Sequence, residues 1–268
     1  MKNKNLPQIS NKAFNFYVTL FFISTTVFWG GYHLSVWFEG QELFGDIFAG
    51  LIISVSLLGA YLSYQRSILW GFTKSYMGLS MIFVSLALSM WAVGEFFYFL
   101  DSKSTTPQNI YDFFFIFIDP FYLLAVYFMS KAIGTYENIL KNFNLLLLSA
   151  LILILNYIAI CLIRNQDIFT SFTNLDIDTF YIVGSVFLST YVVSILLFSK
   201  KLGGMYKQAL QLILIGLLCQ YFADNLFELF VSEKTNGSLS DLIFFMSISF
   251  VTYGVLMLNP DRLNEKRN

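Results

Sequence analysis

The chain has 268 residues, of which 57% are hydrophobic, 19% are aromatic and only 12% are charged. An ordinary soluble domain carries about 25% charged residues, so this composition cannot cover a water-facing surface. The net charge of −1 gives no reason to expect a nucleic-acid partner. The two cysteines, Cys161 and Cys219, show no CxxC spacing, so the sequence leaves their pairing open.

Eight apolar runs approach or exceed the roughly 20 residues that a helix needs to cross a bilayer. They predict helices at about 13–34, 44–65, 75–100, 111–131, 142–163, 178–199, 207–231 and 239–258. Helices are expected because an open sheet edge would leave backbone groups unsatisfied in lipid. The first run is longer than the apolar region of a signal peptide and has no small-residue cleavage site after it, so we expect an uncleaved first span.

The basic residues of the predicted loops indicate how these spans are oriented. With a cytoplasmic N-terminus, 13 of the 16 Lys and Arg residues fall in cytoplasmic segments, and only Lys103, Arg164 and Lys234 fall outside. This asymmetry follows the positive-inside rule. The sequence therefore predicts a multi-pass protein of the cell membrane that is surrounded by membrane lipids and has both termini in the cytoplasm.

The second half of the chain repeats features of the first half at an offset of 129 residues. This shift places Glu95 on Asp224 and Asp112 on Asp241, and 17 residues separate the two acids in each half. The same shift roughly superposes spans one to four on spans five to eight. Because each half has an even number of spans, the halves would be parallel repeats related by an axis along the membrane normal.

The fold class predicted by these observations is an all-α integral membrane protein of about eight spans. Residues 1–134 would form the first four-helix repeat and residues 135–268 the second, within one membrane domain.

Glu95 is the first candidate for a functional residue, because it lies inside the predicted third span, about five residues before its end. Carboxylates within spans are costly and usually face the bundle interior. The C-terminal end of a helix, where Glu95 lies, also disfavours an anion. Glu95 should therefore have a partner or be protonated. A proton, cation or ligand site is one interpretation, and a hydrated interfacial acid is the other.

Asp224 occupies the corresponding place in the seventh span, with Gln220 and Glu228 one turn away on either side. Two carboxylates one turn apart repel if both are ionised. A shared proton, a cation or a basic partner would relieve the repulsion. Alternatively, Glu228 lies at the water boundary and the polar stripe has no ligand.

Asp112 and Asp241 each begin a predicted span, where an acid stabilises the helix N-terminus. Capping is the simpler explanation, and pairing with Glu95 or Asp224 across the outer turn is the alternative. Asp119 lies deeper, beside Pro120. Proline kinks a helix, and an acid beside a kink often lines a cavity.

The sequence predicts no metal, no cofactor and no catalytic residue. His33 is the single histidine, which excludes the familiar bis-histidine haem and zinc-cluster designs. No phosphate-binding loop or nucleophile elbow appears in a suitable context. The deep polar residue Asn156 is explained by hydrogen bonding between helices.

A Trp-x-x-Gly-acid element followed by an aspartate occurs in the first half of the chain. It consists of Trp91, Gly94, Glu95, Pro107 and Asp112. The pattern resembles the multi-helix membrane sensor regions that precede cyclase or histidine-kinase modules in prokaryotic signalling proteins, where the element often occurs twice.

The second copy of this element keeps Asp224, Gly237 and Asp241 but has Gln220 in the place of the tryptophan. The resemblance implies a sensor that acts through a cytoplasmic signalling partner. Only about ten residues follow the last predicted span, so we expect no output domain on this chain.

The function predicted from these features is that of a sensor or receptor-like membrane protein, binding a small ligand, cation or lipid near the outer leaflet. An ion-coupled transporter that uses paired intramembrane carboxylates and an intramembrane lipid-modifying enzyme are the alternatives. The candidate ligand-binding residues are Glu95, Asp224, Glu228, Gln220, Asp119, Trp91, Asp112 and Asp241.

Overall fold

The computed structural model describes residues 41–101, 110–163, 177–198, 206–229 and 239–260, together with Val27 and Gly30. Within these ranges all regular structure is helical. Seven of the described helical segments are long and apolar enough to cross a membrane. The predicted all-α, multi-span fold is thus confirmed. The first predicted span, at about 13–34, and His33 lie outside the described residues, apart from Val27 and Gly30.

Nine helices are described in these ranges. They are α1 (Gln41–Leu69), α2 (Tyr76–Asp101), α3 (Ile110–Phe115), α4 (Ile118–Ala132), α5 (Thr135–Lys141), α6 (Phe143–Ile163), α7 (Ile177–Phe198), α8 (Lys207–Leu229) and α9 (Leu239–Met257). A short 3-10 turn at Phe72–Lys74 joins α1 to α2.

The fourth predicted span is divided into α3 and α4, and together these cover Ile110–Ala132. Two turn residues, Ile116 and Phe117, separate the helices. Pro120 explains the break, because it has no N–H to donate to the carbonyl of Ile116 four residues earlier. The sequence predicted a kinked helix at Pro120, and the structure instead has two separate helices in this span.

The short helix α5 was not predicted from the sequence. It begins after Gly134, whose φ of 73° lies in the left-handed region that favours glycine. An exposed ion pair between Glu137 and Lys141, with a distance of 3.7 Å from Oε2 to Nζ, spans one turn of α5. The helix connects the two predicted halves.

Charge divides the bundle into two ends. We call the end where α2 finishes and α9 begins the acidic end, and the end where α1 finishes and α2 begins the basic end. Outside α5, the described acidic side chains are Asp46, Glu95, Asp101, Asp112, Asp119, Asp224 and Asp241, all in the acidic half. The described basic side chains outside α5 are Arg66, Lys74, Lys131 and Lys207, all at the basic end.

The basic end of α1 caps the last turn of α9. Arg66 Nη2 donates a hydrogen bond to the carbonyl of Leu256, and Trp70 Nε1 donates to the carbonyl of Leu258, each at 3.1 Å. The last carbonyls of a helix have no partner within the helix, so these side chains satisfy groups that would otherwise be unpaired.

Six helices, α1, α2, α4, α7, α8 and α9, form the main apolar core. α8 and α9 approach each other closely at Gly216 and Gly254, which leave no room for a side chain. α6 packs chiefly on α7 at the periphery, and only 11% of its span is buried within the protein. Its exposed leucine-rich surface is suited to lipid.

We expect Gly254→Ala to destabilise the protein. An added Cβ would lie 2.6 Å from Cγ1 of Ile213 and 2.7 Å from the carbonyl oxygen of Ala209, so α8 and α9 would have to separate. The expected loss is about 1–3 kcal/mol. The matched control is Gly50→Ala, because a Cβ at Gly50 meets nothing within 4 Å. Thermal unfolding in detergent, followed by tryptophan fluorescence, measures the difference, and equal losses in both variants would contradict the described packing.

Candidate functional site

Three polar side chains from three different helices meet inside the bundle. Ser185 Oγ on α7 donates to Asp119 Oδ2 on α4 at 3.1 Å, and Gln220 Nε2 on α8 lies 3.5 Å from Asp119 Oδ1. Asp119 is only 8% exposed and Gln220 only 3%. We call Asp119, Ser185 and Gln220 the central cluster. It lies roughly 12 Å below the acidic end by helical rise, near the middle of the span.

Gly184 makes the central cluster possible. A Cβ at this position would lie 3.0 Å from Asp119 Cβ and 3.1 Å from Oδ2. The missing side chain lets α7 approach α4 closely enough for the neighbouring Ser185 to reach the carboxylate. Sequence reasoning missed Gly184 and Ser185, although a Gly-Ser pair in an otherwise apolar run is a recognisable sign of close helix packing.

Two oxygen atoms near Asp119 have no hydrogen-bond partner among the described residues. They are Gln220 Oε1 and the hydroxyl of Tyr122. Tyr122 is 1% exposed, lies one turn after Asp119 on α4 and interacts electrostatically with its carboxyl. A buried polar atom without a partner costs free energy. Such atoms beside a carboxylate indicate a site that can accept another group.

A second polar network, which we call the lateral network, joins α6 to α7 and α8. Asn156 Nδ2 donates to Ser189 Oγ at 2.5 Å and to Thr190 Oγ1 at 3.3 Å, and Tyr221 Oη donates to Asn156 Oδ1 at 2.5 Å. Ser189 Oγ in turn donates to the carbonyl of Ser185 at 2.5 Å, which connects this network to the central cluster. The interhelical role predicted for Asn156 is confirmed.

Near the acidic end, Glu95 on α2 interacts electrostatically with Asp241 on α9. One turn deeper, the rings of Trp91 and Phe244 meet with centroids 5.2 Å apart. Since α2 and α9 run in opposite directions here, the ring contact brings the two acids to the same level of the bundle. We call Glu95 and Asp241 the acid pair. Tyr98 lies in the electrostatic field of both.

The Trp91–Glu95 segment also explains the glycine of its motif. A Cβ on Gly94 would lie 2.5 Å from Cε1 of Phe115, so glycine lets α3 pack against α2. The indole N–H of Trp91 neighbours the Glu95 carboxyl but falls short of full hydrogen-bond geometry. The motif therefore combines a ring contact by Trp91, a close helix approach at Gly94 and the acid Glu95 within about one helical turn.

The remaining predicted site residues are not gathered into one place. Asp112 lies in the first turn of α3, and its carbonyl accepts a hydrogen bond of 3.3 Å from Tyr181 Oη. Asp224 is half-buried, one turn beyond Gln220 on α8. The side chain of Glu228 lies outside the described residues. The predicted stripe on α8 thus contributes Gln220 to the central cluster.

Metal ligands and thiols add no further site in the described part of the chain. No group of three or more His, Cys, Asp or Glu side chains could hold a metal ion there. Cys161 and Cys219 are both free.

No protein-family model, no curated protein and no solved structure matches this chain.

We expect Asn156→Leu to destabilise the protein by about 1–2 kcal/mol, because the lateral network loses its central donor and acceptor. The matched control is Leu155→Ala at the adjacent position, where the side chain is 57% exposed. This control should change stability little. Thermal unfolding in detergent checks both variants, and an Asn156→Leu protein as stable as the control would show that the network contributes nothing.

Proposed function

We propose that the protein is a receptor-like membrane module of the sensor type, which binds a small cation at the acid pair near one membrane face. The observation that supports this function best is the ring contact of Trp91 with Phe244, because it brings Glu95 on α2 and Asp241 on α9 to the same level of the bundle, where the two acids interact electrostatically. Glu95 and Asp241 are both partly buried, and two neighbouring carboxylates repel each other if both are ionised. A cation between them, of which a shared proton is the smallest, removes this repulsion.

The surroundings of the acid pair favour a cation as the ligand. Trp91 and Phe244 close the site from the side of the bundle centre, and Tyr98 lies near both acids. Aromatic rings exclude water, which strengthens electrostatic attraction, and their faces attract cations. An all-protein cage for a divalent metal would need more carboxylates than the described residues bring together here.

The distribution of acids supports sensing over transport. Outside α5, every described acid lies in the acidic half, and the buried polar side chains of the basic half are mainly serines and threonines. A transported ion needs favourable groups on both sides of the membrane centre, whereas a sensor needs a site on one side only. An ion-coupled transporter remains the second candidate, because the central cluster places one carboxylate deep in the bundle.

Two helix contacts support a duplicated fold as the basis of this site. Ser80 Oγ donates to the carbonyl of Ala125 at 2.8 Å. The residues 129 positions later, Ala209 and Gly254, also touch, since a Cβ on Gly254 would lie 2.7 Å from the carbonyl oxygen of Ala209. In addition, α4 packs on α7 and α9 packs on α1, which are equivalent contacts under that shift. The acid pair would then join the two halves.

The proposal also assigns a direction to the signal. Under the positive-inside rule the basic end faces the cytoplasm and the acidic end faces outward. A cation bound outside would change the contact of α2 with α9, and the hydrogen bonds that Arg66 and Trp70 donate at the basic end of α9 would pass that change to α1. A cytoplasmic signalling partner would bind there.

In sodium-free buffers, we expect the unfolding midpoint of the protein in detergent to fall as the pH is raised from about 5 to about 9. A proton shared by the acid pair stabilises the folded protein at low pH, and its loss at high pH restores the repulsion between Glu95 and Asp241. Glu95→Gln and Asp241→Asn each remove one charge with little change in shape, so each should flatten the profile. Fluorescence-detected melting at constant ionic strength measures it.

Glu137→Gln is the control for this experiment, because Glu137 is an exposed acid on α5, at the basic end. Its profile should follow that of the original chain. A pH dependence that persists unchanged in both acid-pair variants would contradict the proposal.

A further inference from the structure

The central cluster presents oxygen atoms of the kinds that bind alkali cations. Asp119 supplies a carboxylate, Ser185 a hydroxyl and Gln220 an amide oxygen, and the three residues come from α4, α7 and α8. All three side chains are buried. The cluster is separate from the acid pair, and the inference below does not depend on the proposed function.

The amide oxygen of Gln220 gives the most direct indication of a ligand. Its Nε2 lies next to Asp119, whereas its Oε1 has no partner among the described residues although the side chain is 97% buried. The hydroxyl of Tyr122, in the electrostatic field of the same carboxyl, is also without a described partner. A cation attracts all of these oxygens at once. A proton on Asp119 adds a single donor, which can pair with only one of them.

The helix break adds one more oxygen to the same stretch of chain. Pro120 has no N–H, so the carbonyl of Ile116, three residues before Asp119, loses its usual partner within the helix. Interrupted membrane helices supply backbone carbonyls to sodium ions in this way in transporter folds.

The charge of the cluster sets the charge of the ion. Asp119 is its only carboxylate, and no group of three acidic, histidine or cysteine side chains converges in the described ranges. A single carboxylate in the membrane interior favours a monovalent cation, because a divalent ion would bring one more positive charge than this carboxylate can balance. The oxygens are hard ligands and lie close together, with 3.1 Å between Ser185 Oγ and Asp119 Oδ2, which suits the smaller of the common alkali cations.

We propose that Asp119, Ser185 and Gln220 form a sodium-binding site at the centre of the bundle. The ion links α4 to α7 and α8. It also reaches the lateral network, because the Ser185 carbonyl accepts the hydrogen bond of Ser189, which Asn156 contacts. Sodium binding therefore stabilises the packing of α4, α6, α7 and α8 together.

The test uses the purified full chain in detergent at fixed pH and ionic strength, with choline chloride replaced stepwise by sodium chloride or potassium chloride. Sodium should raise the unfolding midpoint saturably by about 5 °C, and potassium should do so only at much higher concentration. Binding of radioactive sodium should be saturable and should include one ion per chain that Asp119→Asn removes. A midpoint that does not respond to sodium, or that responds equally to potassium, would overturn the proposal.

Variants assign the response to the cluster. Asp119→Asn should abolish both the midpoint shift and sodium binding. Gln220→Leu and Ser185→Ala, which introduce no charge, should weaken binding about tenfold and remain measurable if Asp119→Asn fails to fold. Sodium binding of original affinity in these two variants would disprove the site.

Two further variants separate this site from the acid pair and from a surface effect. Glu95→Gln and Glu137→Gln should keep the full sodium response. Loss of the sodium response in Glu95→Gln would show that sodium binds at the acid pair, and it would overturn the assignment of the site to Asp119, Ser185 and Gln220. A midpoint that depends on pH through Asp119 but not on sodium would make Asp119 a proton site and would equally overturn it.

Discussion

A carboxyl group in the hydrocarbon layer must be matched by other protein groups, and this requirement decides where the helices of this bundle meet. Asp119 draws α7 and α8 toward α4 through Ser185 and Gln220. Glu95 and Asp241 place the same requirement on α2 and α9. Gly184 permits the approach of α7 to α4 beside Asp119, and Gly94 lets α3 pack against α2 beside Glu95. Small residues and acids thus act together, because close packing gives a polar group its partners.

The proposed duplication gives these contacts a common origin and shows where the halves differ. Gln220 faces Asp119, and the residues 129 positions earlier and later are Trp91 and Ile248, which are both buried. One interface between the halves would therefore contain an amide and an acid, and the equivalent interface a tryptophan and an isoleucine.

Most of the fold could be predicted from the sequence, because a segment that crosses lipid must be a helix of about 20 mainly apolar residues. Long apolar runs predicted the seven spans that the structure describes, and Pro120 predicted a kink where the structure divides the fourth span into two helices. Helix α5 was missed because it has only seven residues and follows a left-handed Gly134, and such a short helix leaves little trace in hydropathy. Span ends differ by up to about a turn, since apolar content does not mark where a helix stops.

The site could be predicted as a set of residues but not as an arrangement. Glu95, Asp119 and Gln220 are conspicuous in apolar surroundings, so composition identifies them. Their partners are determined by packing between distant segments: 101 residues separate Asp119 from Gln220. From the sequence, Asp112 was the alternative partner for Glu95 across the outer turn. The structure places Asp241, from the last described helix, in its field.

Cross-linking measures directly whether Glu95 on α2 and Asp241 on α9 lie near each other across the bundle. Cys161→Ala and Cys219→Ala remove the two free thiols, and Glu95→Cys with Asp241→Cys then introduces a single pair. Mild oxidation in native membranes should form an intramolecular disulfide in this protein. It should not do so when Glu95→Cys is combined with Glu137→Cys, which lies at the opposite end of the bundle. Equal and low cross-linking of the two pairs would contradict the juxtaposition on which the proposed site rests.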